Sequence, residues 1–443
     1  MSIFRKVSIG SFLSERTERY KPIEANELKL KRIEKIDFKG NIHLVPHKQT
    51  NTNMILIKKG DLVISGINAE KGAVSVYKGD EDVTATIHYS SYEYDENKID
   101  IDYLKWYLKS DSFKKLLIDA AGGGIKTELK AKKFLPLEIF LPSLQEQKEI
   151  VRKIEAVEFD IENISILARE NYNLLTSLRK AILRDAIMGK LVSQDEADES
   201  ATVLLEKIKQ EKDRLIKEKK IKKEKPLPQI TNEESPFDLP KGWEWTRLGD
   251  IADISSGSTP LKSNPNYYKN GQIPWCTSTV TGQDYVYEPN SFITETAVKE
   301  CNLRLYPIGT LIMAMYGQGK TRGQTTELLI ESTINQACAA IQMHLKSSYL
   351  KDYIKICLKE VYNKIREEAV GGAQPNLNGN KVKSIIIALP PLNEQKRIVE
   401  KVNQLIQLCD ELEANIDQSN VESEKLMKAV LQEAFRFNEK VLS

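Results

Sequence analysis

Two short stretches carry residue types that could do phosphate or methyl-transfer chemistry. GQGKT, Gly317 to Thr321, ends as a phosphate loop ends, where backbone amides and a lysine would cradle phosphate. A full phosphate loop needs glycine at position 314 and a helix immediately after. The chain has Ala314 there, followed by TRGQTTELLIE, which is broken by Gly323 and rich in threonine. NPNY, Asn264 to Tyr267, differs at its third position from the NPPY of amino-methyltransferases. No glycine-rich fingerprint in a βαβ setting precedes it, and Asn-Pro is a common start of a turn. Neither stretch supports ATP binding or methyl transfer.

Other catalytic patterns are missing. The five cysteines (Cys276, Cys301, Cys338, Cys357, Cys409) form no CxxC pair, and the four histidines form no HxxxH pair. This argues against a zinc centre or a disulfide framework and fits a reducing cytoplasm. There is no GxSxG elbow and no convincing carboxylate pair. What remains is loops rich in amides, hydroxyls and cations, groups suited to hydrogen bonding with base edges and phosphates. The candidates are Lys48, Asn68, Lys71, Lys126 and Thr127 in the first half of the chain. In the second they are Thr259, Thr277, Tyr316, Gln318, Lys320, Arg322, Gln374 and Asn376. The net charge is only +2, milder than expected of a protein that grips nucleic acid alone, so other chains are expected to share the contact.

An internal repeat must position these loops. LPSLQEQKEIVRKI from Leu141 matches LPPLNEQKRIVEKV from Leu389 at an offset of 248 residues. The same offset pairs SLRKAILRDAI from Ser177 with KLMKAVLQEAF from Lys425, and Gly123-Gly124 with Gly371-Gly372. The chain is therefore two copies of one unit, each a globular part followed by a long helix.

A strict 4-3 spacing marks the helix seams. The first runs through Ile150, Ile154, Val157, Ile161, Ile164, Ala168, Asn171, Leu175, Leu178 and Ile182. The second runs through Ile398, Val402, Leu405, Cys409, Leu412, Ile416, Ser419, Ser423, Leu426 and Val430. Asn171 and Ser419 would place polar groups in mid-seam to fix register. Ser143 with Glu146 reads as a capping box, and Gly189 as a helix stop. Two such seams in one chain favour intramolecular antiparallel pairing, with a pseudo-two-fold relation between the copies.

The globular parts mix short strands (ILIKKGDLVISGI, YPIGTLIMAMYG) with amphipathic helices (IDYLKWYLKSDSFKKLL, YLKDYIKICLKEVYNKIREEA). The fold class is α+β: two mixed α/β domains joined by two long antiparallel coiled-coil helices. The expected boundaries are a first domain at 1–140, the central helix at 141–195, a charged linker at 196–236, a second domain at 237–388 and the C-terminal helix at 389–443. The linker reads as a solvated helix end and a flexible tether. No apolar run approaches the roughly 18 residues that span a bilayer, and the N-terminus has no pattern of an export signal, so no membrane partner is expected.

This order of parts resembles the specificity subunits of type I restriction–modification systems. GGAQPNLNGNKVKSIIIALPPLNEQKRIVEKV carries the likeness most specifically. GWEWTRLGDIADISSGSTP, the IPW segment at Ile273 and STINQACAAI at Ser332 look like elements of their target-recognition domains. The first domain departs most, with Lys126-Thr127-Glu128 where the second has Gln374-Pro375-Asn376. The resemblance implies a non-catalytic DNA-binding protein in which each target-recognition domain reads one half of a split site. The paired helices would set the spacing, two modification subunits would dock, and restriction subunits would join. It places no cofactor in this chain; S-adenosylmethionine, ATP and magnesium would belong to the partners. The two helices match closely while the globular parts barely match, so the target should be asymmetric. A coiled-coil scaffolding protein without DNA specificity is the alternative from the residues alone.

Overall fold

A computed structural model of the chain describes residues 5–38, 40–120, 129–317, 320–369 and 377–436. The chain divides into two compact units, Met1–Glu170 with Asn415–Ser443, and Asn171–Ala414.

The first unit runs β1 (Arg5–Ser8), β2 (Leu13–Glu15), β3 (Arg19–Tyr20), α1 (Pro22–Leu28), β4 (Arg32–Ile36), β5 (Ile42–Val45), β6 (Met54–Ile57), β7 (Leu62–Ser65), β8 (Val74–Val76), β9 (Val83–Ala85) and β10 (Tyr89–Tyr94). Then follow α2 (Ile101–Lys109), α3 (Asp111–Ala120), α4 (Ala131–Phe134), β11 (Glu138–Leu141) and the first part of the long α5 (Leu144–Ile187). Its sheets are β1-β11, β2-β10-β7-β8 and β3-β6-β9-β4-β5. ILIKKGDLVISGI forms two strands, because Gly60 at φ +91° turns the chain between β6 and β7. IDYLKWYLKSDSFKKLL also splits. Ser110 is extended; its hydroxyl donates to the Tyr107 carbonyl at 2.6 Å and accepts the Phe113 amide at 3.3 Å, closing α2 and capping α3.

The second unit holds α6 (Ala201–Lys217), β12 (Glu244–Arg247), α7 (Leu248–Ile251), β13 (Ala252–Ser256), β14 (Ile273–Cys276), β15 (Tyr285–Val286), β16 (Ser291–Ile293) and α8 (Glu295–Glu300). It continues with β17 (Leu311–Ala314), β18 (Thr325–Leu328), β19 (Thr333–Ile334), β20 (Cys338–Met343), α9 (Ser348–Ala369), α10 (Gly379–Lys383), β21 (Ile386–Leu389) and α11 (Leu392–Ala434). Its sheets are β12-β21, β13-β20-β17-β18-β15 and β16-β14-β19. The order β13-β20-β17-β18 repeats β2-β10-β7-β8, and β12-β21 repeats β1-β11. The remaining sheets differ, five strands in one copy and three in the other.

The long helices hold to the expected ends. Glu146 accepts the Ser143 amide at 3.0 Å while its own amide donates to the Ser143 hydroxyl at 3.4 Å, a capping box. Gly189 takes φ +69°, and a Cβ there would lie 2.5 Å from Pro240 Cγ. Within each unit the start of one long helix lies beside the end of the other, so they run antiparallel in both. In the first unit Ile150, Val151 and Ile154 share a core with Met427, Val430, Leu431 and Phe435. In the second, Arg179 pairs with Asp410 at 2.7 Å and Glu413 at 2.8 Å.

The strict 4-3 seam does not persist. Ile154, Ile182, Ile398 and Val402 are buried and Ile150, Val157, Ile161, Ile164, Leu405 and Val430 are half-buried. Leu178, Leu412 and Leu426, by contrast, are 46%, 44% and 51% exposed. Asn171 and Ser419 are exposed too, so they fix no register from inside the seam. The neighbours Tyr172, Arg179, Glu413, Asn420 and Met427 turn inward instead. An untwisted helix drifts about 20° per heptad against a 3.5-residue repeat, and over this length the inner stripe moves on by one residue.

The linker is not a free tether either. Ala201, Leu204 and Ile208 of α6 are buried, and Lys212 Nζ donates to the Gly249 carbonyl at 3.0 Å. Beyond α6, the buried Arg247 donates to the Pro228 carbonyl at 2.8 Å and to both carboxylate oxygens of Glu234 at 3.0 and 2.9 Å. Residues 201–234 are thus strapped onto the second unit. The charge read from the sequence is the outer face of a segment whose inner face is apolar.

Candidate nucleic-acid interface

The β7–β8 connection carries Asn68 and Lys71, and the β17–β18 connection carries Tyr316, Lys320 and Arg322. The two connections occupy one place in the repeated sheet. Ser65 pairs with Tyr89 in the first copy, and Ala314 with Cys338 in the second, both offset by 249 residues. Lys71 and Lys320 share that offset, and both are exposed. Lys71 Nζ lies 5.9 Å from the centroid of the exposed Phe38 ring. The Lys320 carbonyl accepts the Tyr362 hydroxyl at 2.9 Å, fixing the loop backbone to α9 and leaving the ammonium outside. Tyr316 is 47% exposed, and Arg322 is half-buried. Asn68 begins a short 3-10 turn, its carbonyl accepting the Lys71 amide at 3.0 Å and the Ala73 amide at 3.2 Å.

The other candidates do not all gather here. Lys48 is exposed in the segment after β5, and Thr259 is half-buried beyond β13. The Thr277 hydroxyl is engaged with Asn290 Oδ1 at 2.9 Å and Thr279 Oγ1 at 2.8 Å, a turn-building role. Lys126, Thr127, Gln318, Gln374 and Asn376 lie outside the described residues. The glycine loop that holds two of them still reaches this edge in the first copy: the Leu129 amide donates to the Gly66 carbonyl at 2.9 Å.

The tempting chemical motifs resolve into structure. GQGKT leads into strand β18 and no helix follows it. In NPNY the Asn264 carboxamide oxygen accepts the Asn266 amide at 3.1 Å, closing a turn. Burial pushes the Cys338 and Cys357 thiols up to about 12, far from thiolate reactivity at neutral pH. Among the described residues no group of three His, Cys, Asp or Glu could hold a metal ion, and no helix is long and apolar enough to cross a membrane.

The model of the type I restriction modification DNA specificity domain matches this chain twice, over residues 19–169 and 240–419. The chain belongs to the type I restriction–modification DNA specificity family. Among its relatives, the specificity subunit of the type I restriction enzyme EcoEI from Escherichia coli is 30% identical over 302 residues, 62% of this chain and 50% of that protein. The EcoAI specificity subunit is 30% identical over 303 residues, 61% and 49% respectively. The chain thus spans about half the length of these two curated relatives. Its fold is similar to an HsdS subunit from Thermoanaerobacter tengcongensis, with TM-score 0.59, 18% identity, and 98% and 97% of the two chains covered. It is also similar to a chain solved in a structure of type I R-M complex assembly and conformational transition, with TM-score 0.68, 18% identity and the same coverage.

Family features missed at the sequence level sit in the motif LPxLxEQ. Gln147 is fully buried; its Oε1 accepts the Asp100 amide at 2.7 Å and its Nε2 donates to the Pro142 carbonyl at 2.9 Å. Gln395, 248 residues on, repeats the second bond to Pro390 at 2.8 Å. These glutamines pin the start of each long helix to its domain. The sole signal was their recurrence at the repeat offset. The glutamate beside Gln395 is also committed: Glu394 accepts the Trp243 indole N–H at 2.9 Å, and burial pushes its carboxyl above the usual range.

Proposed function

We propose that this chain is the DNA-reading specificity subunit of a type I restriction–modification complex and is itself non-catalytic. In this reading, target-recognition domains at 1–140 and 237–388 each read one half of a bipartite, asymmetric site on double-stranded DNA. The helices at 141–195 and 389–443 set the spacer and dock two modification subunits, and restriction subunits complete the complex. S-adenosylmethionine, ATP and magnesium act on those partners, methylation falls on adenine in each half-site, and the complex works in the cytoplasm.

One observation carries the reading. Two copies of one strand frame hold equivalent loops with a lysine at the same position and different residues around it. A shared scaffold with divergent loops suits reading two different sequences. The experiment is to express the chain with its modification subunits and map methylated adenines across the host genome. An asymmetric bipartite motif is expected. Replacing residues 237–388 with the corresponding domain of a relative should change one half-site only; a change in both halves, or no motif at all, overturns the reading.

A further inference from the structure

Four turn residues stand where the two domains are most alike in backbone and least alike in chemistry. Ile67 follows β7 and Ile87 precedes β10; Tyr316 and Gln336 occupy the same places beside β17 and β20, each 249 residues on. The local hydrogen bonds repeat. The Gly66 amide donates to the His88 carbonyl at 2.8 Å, and the Met315 amide to the Ala337 carbonyl at 2.8 Å. The Tyr89 amide closes the Thr86–Tyr89 turn at 3.0 Å, and the Cys338 amide closes Asn335–Cys338 at 3.1 Å. One residue of each pair is thus held beside the other at the same sheet edge in both domains.

All four side chains are exposed. Ile67 is 56%, Ile87 55% and Tyr316 47% exposed, and Gln336 is exposed as well. Neither isoleucine belongs to a core cluster of its unit, so the fold gives no reason for two aliphatic side chains to stand side by side in water. Four residues after Ile67 comes Lys71, and four after Tyr316 comes Lys320, both with exposed side chains. An invariant cation beside a variable pair is the arrangement of a phosphate anchor beside a base reader.

We infer that Ile67 with Ile87, and Tyr316 with Gln336, are base-reading pairs, one in each half-site, and that Lys71 and Lys320 anchor the adjacent phosphates. The inference rests on the DNA-reading function proposed above and names residues that carry its specificity. Two aliphatic side chains suit the C5-methyl of thymine and offer nothing to a polar base edge. A glutamine carboxamide suits the N6 and N7 edge of adenine, which it meets with one donor and one acceptor. The first domain should therefore select thymine and the second adenine at the position each pair faces.

The test uses the full chain assembled with its modification subunits and a duplex library randomised at one half-site position at a time. Gln336→Ala should lower discrimination at one position of the second domain's half-site by roughly 5- to 150-fold, leaving the other half-site unchanged. Ile67→Ser with Ile87→Ser should do the same in the first domain's half-site only. Lys71→Ala and Lys320→Ala should weaken binding to all sequences alike and flatten the salt dependence, without changing base preference. Thermal midpoints within a degree or two of the parent are expected, since all six side chains are at the surface. Unchanged preference at every position in both Gln336→Ala and the isoleucine double variant overturns the inference while the parent still reads its site. A parent complex with no sequence preference overturns the functional reading beneath it.

Discussion

The two domains share one strand order yet stabilise it by different chemistry. In the first, buried Asp61 at the start of β7 accepts Arg16 Nε at 2.7 Å, Arg16 Nη2 at 2.8 Å, the Lys58 amide at 2.9 Å and the Ser91 hydroxyl at 2.7 Å. In the second, the place of Asp61 is taken by Thr310, whose hydroxyl donates to the Pro307 carbonyl at 2.7 Å, and the nearby strand β13 uses a neutral bond between the Ser255 and Tyr306 hydroxyls at 2.9 Å. The lesson is that strand order is set by apolar β7 and β17, buried along their whole length, while polar support is free to vary. A frame with that tolerance can keep its backbone while its loops diverge.

The comparison can be broken hardest at Asp61. Asp61→Ala removes the acceptor of four hydrogen bonds and strips the part-buried Arg16 of its bidentate partner, and we expect a loss of about 3–5 kcal/mol. Ser255→Ala should cost about 1 kcal/mol. Chemical denaturation of the full chain checks both, and equal costs would refute the contrast.

Arg247 is the second domain's own buried cation, and it holds the strap. Arg247→Ala should cost about 2–3 kcal/mol, because charge-assisted bonds to Glu234 and the Pro228 carbonyl are lost together. Limited trypsin digestion should then cut among the lysines between residues 217 and 225 well before the rest of the chain. Unaltered cleavage there would mean that the strap holds without Arg247.

The paired glutamines sharpen the comparison at smaller scale. Gln147 uses both ends of its carboxamide, whereas Gln395 Oε1 is buried without a hydrogen-bond partner. Gln147→Ala should therefore cost about 2 kcal/mol and Gln395→Ala about 1 kcal/mol or less, read as shifts in denaturation midpoint.

The smallest effect is a pH dependence confined to the second domain. Burial, with Lys212 contributing less, pushes His344 down to about 4. The unfolded imidazole titrates near 6.5, so between about 4 and 6.5 the unfolded state binds the extra proton. This contribution is complete above about 6.5 and is lost as pH falls, by at most about 1.4 kcal/mol per unit. His344→Leu should flatten that part of the stability profile; an unchanged slope from pH 6.5 to 5 would assign it to other groups.

Much of this architecture is legible in the sequence because the repeat is. Leu141 and Leu389 fix the offset, and the offset locates the long helices and the equivalent loops. What stays hidden is non-local. The first strands, β1 and β12, are 239 residues apart while the later ones keep 248 or 249, because the insertions fall in the divergent sheets. The step of the seam from Leu178 to Arg179 and from Leu412 to Glu413 depends on how two helices share their curvature, which neither sequence encodes alone. The strap was misread because Leu204 and Ile208 are few among many charges. The turn residues Ile67 and Ile87 stand out only once the sheet brings their two turns together.

Phe435, 1% exposed, sits edge-on to Tyr103 and Tyr107 with ring centroids 5.4 and 5.5 Å away. The Ser112 hydroxyl donates to its carbonyl at 3.3 Å across 323 residues of sequence. During vectorial synthesis the amino-terminal domain emerges first, but its core is closed by one of the last aromatic rings to be made. At about 5–20 residues per second, the roughly 300 residues between β11 and Phe435 take about 15–60 s. For that time Tyr103 and Tyr107 face an open pocket. The first module to be translated is thus among the last to be finished, and a ribosome that stops short of Phe435 releases a chain whose fault lies near its beginning.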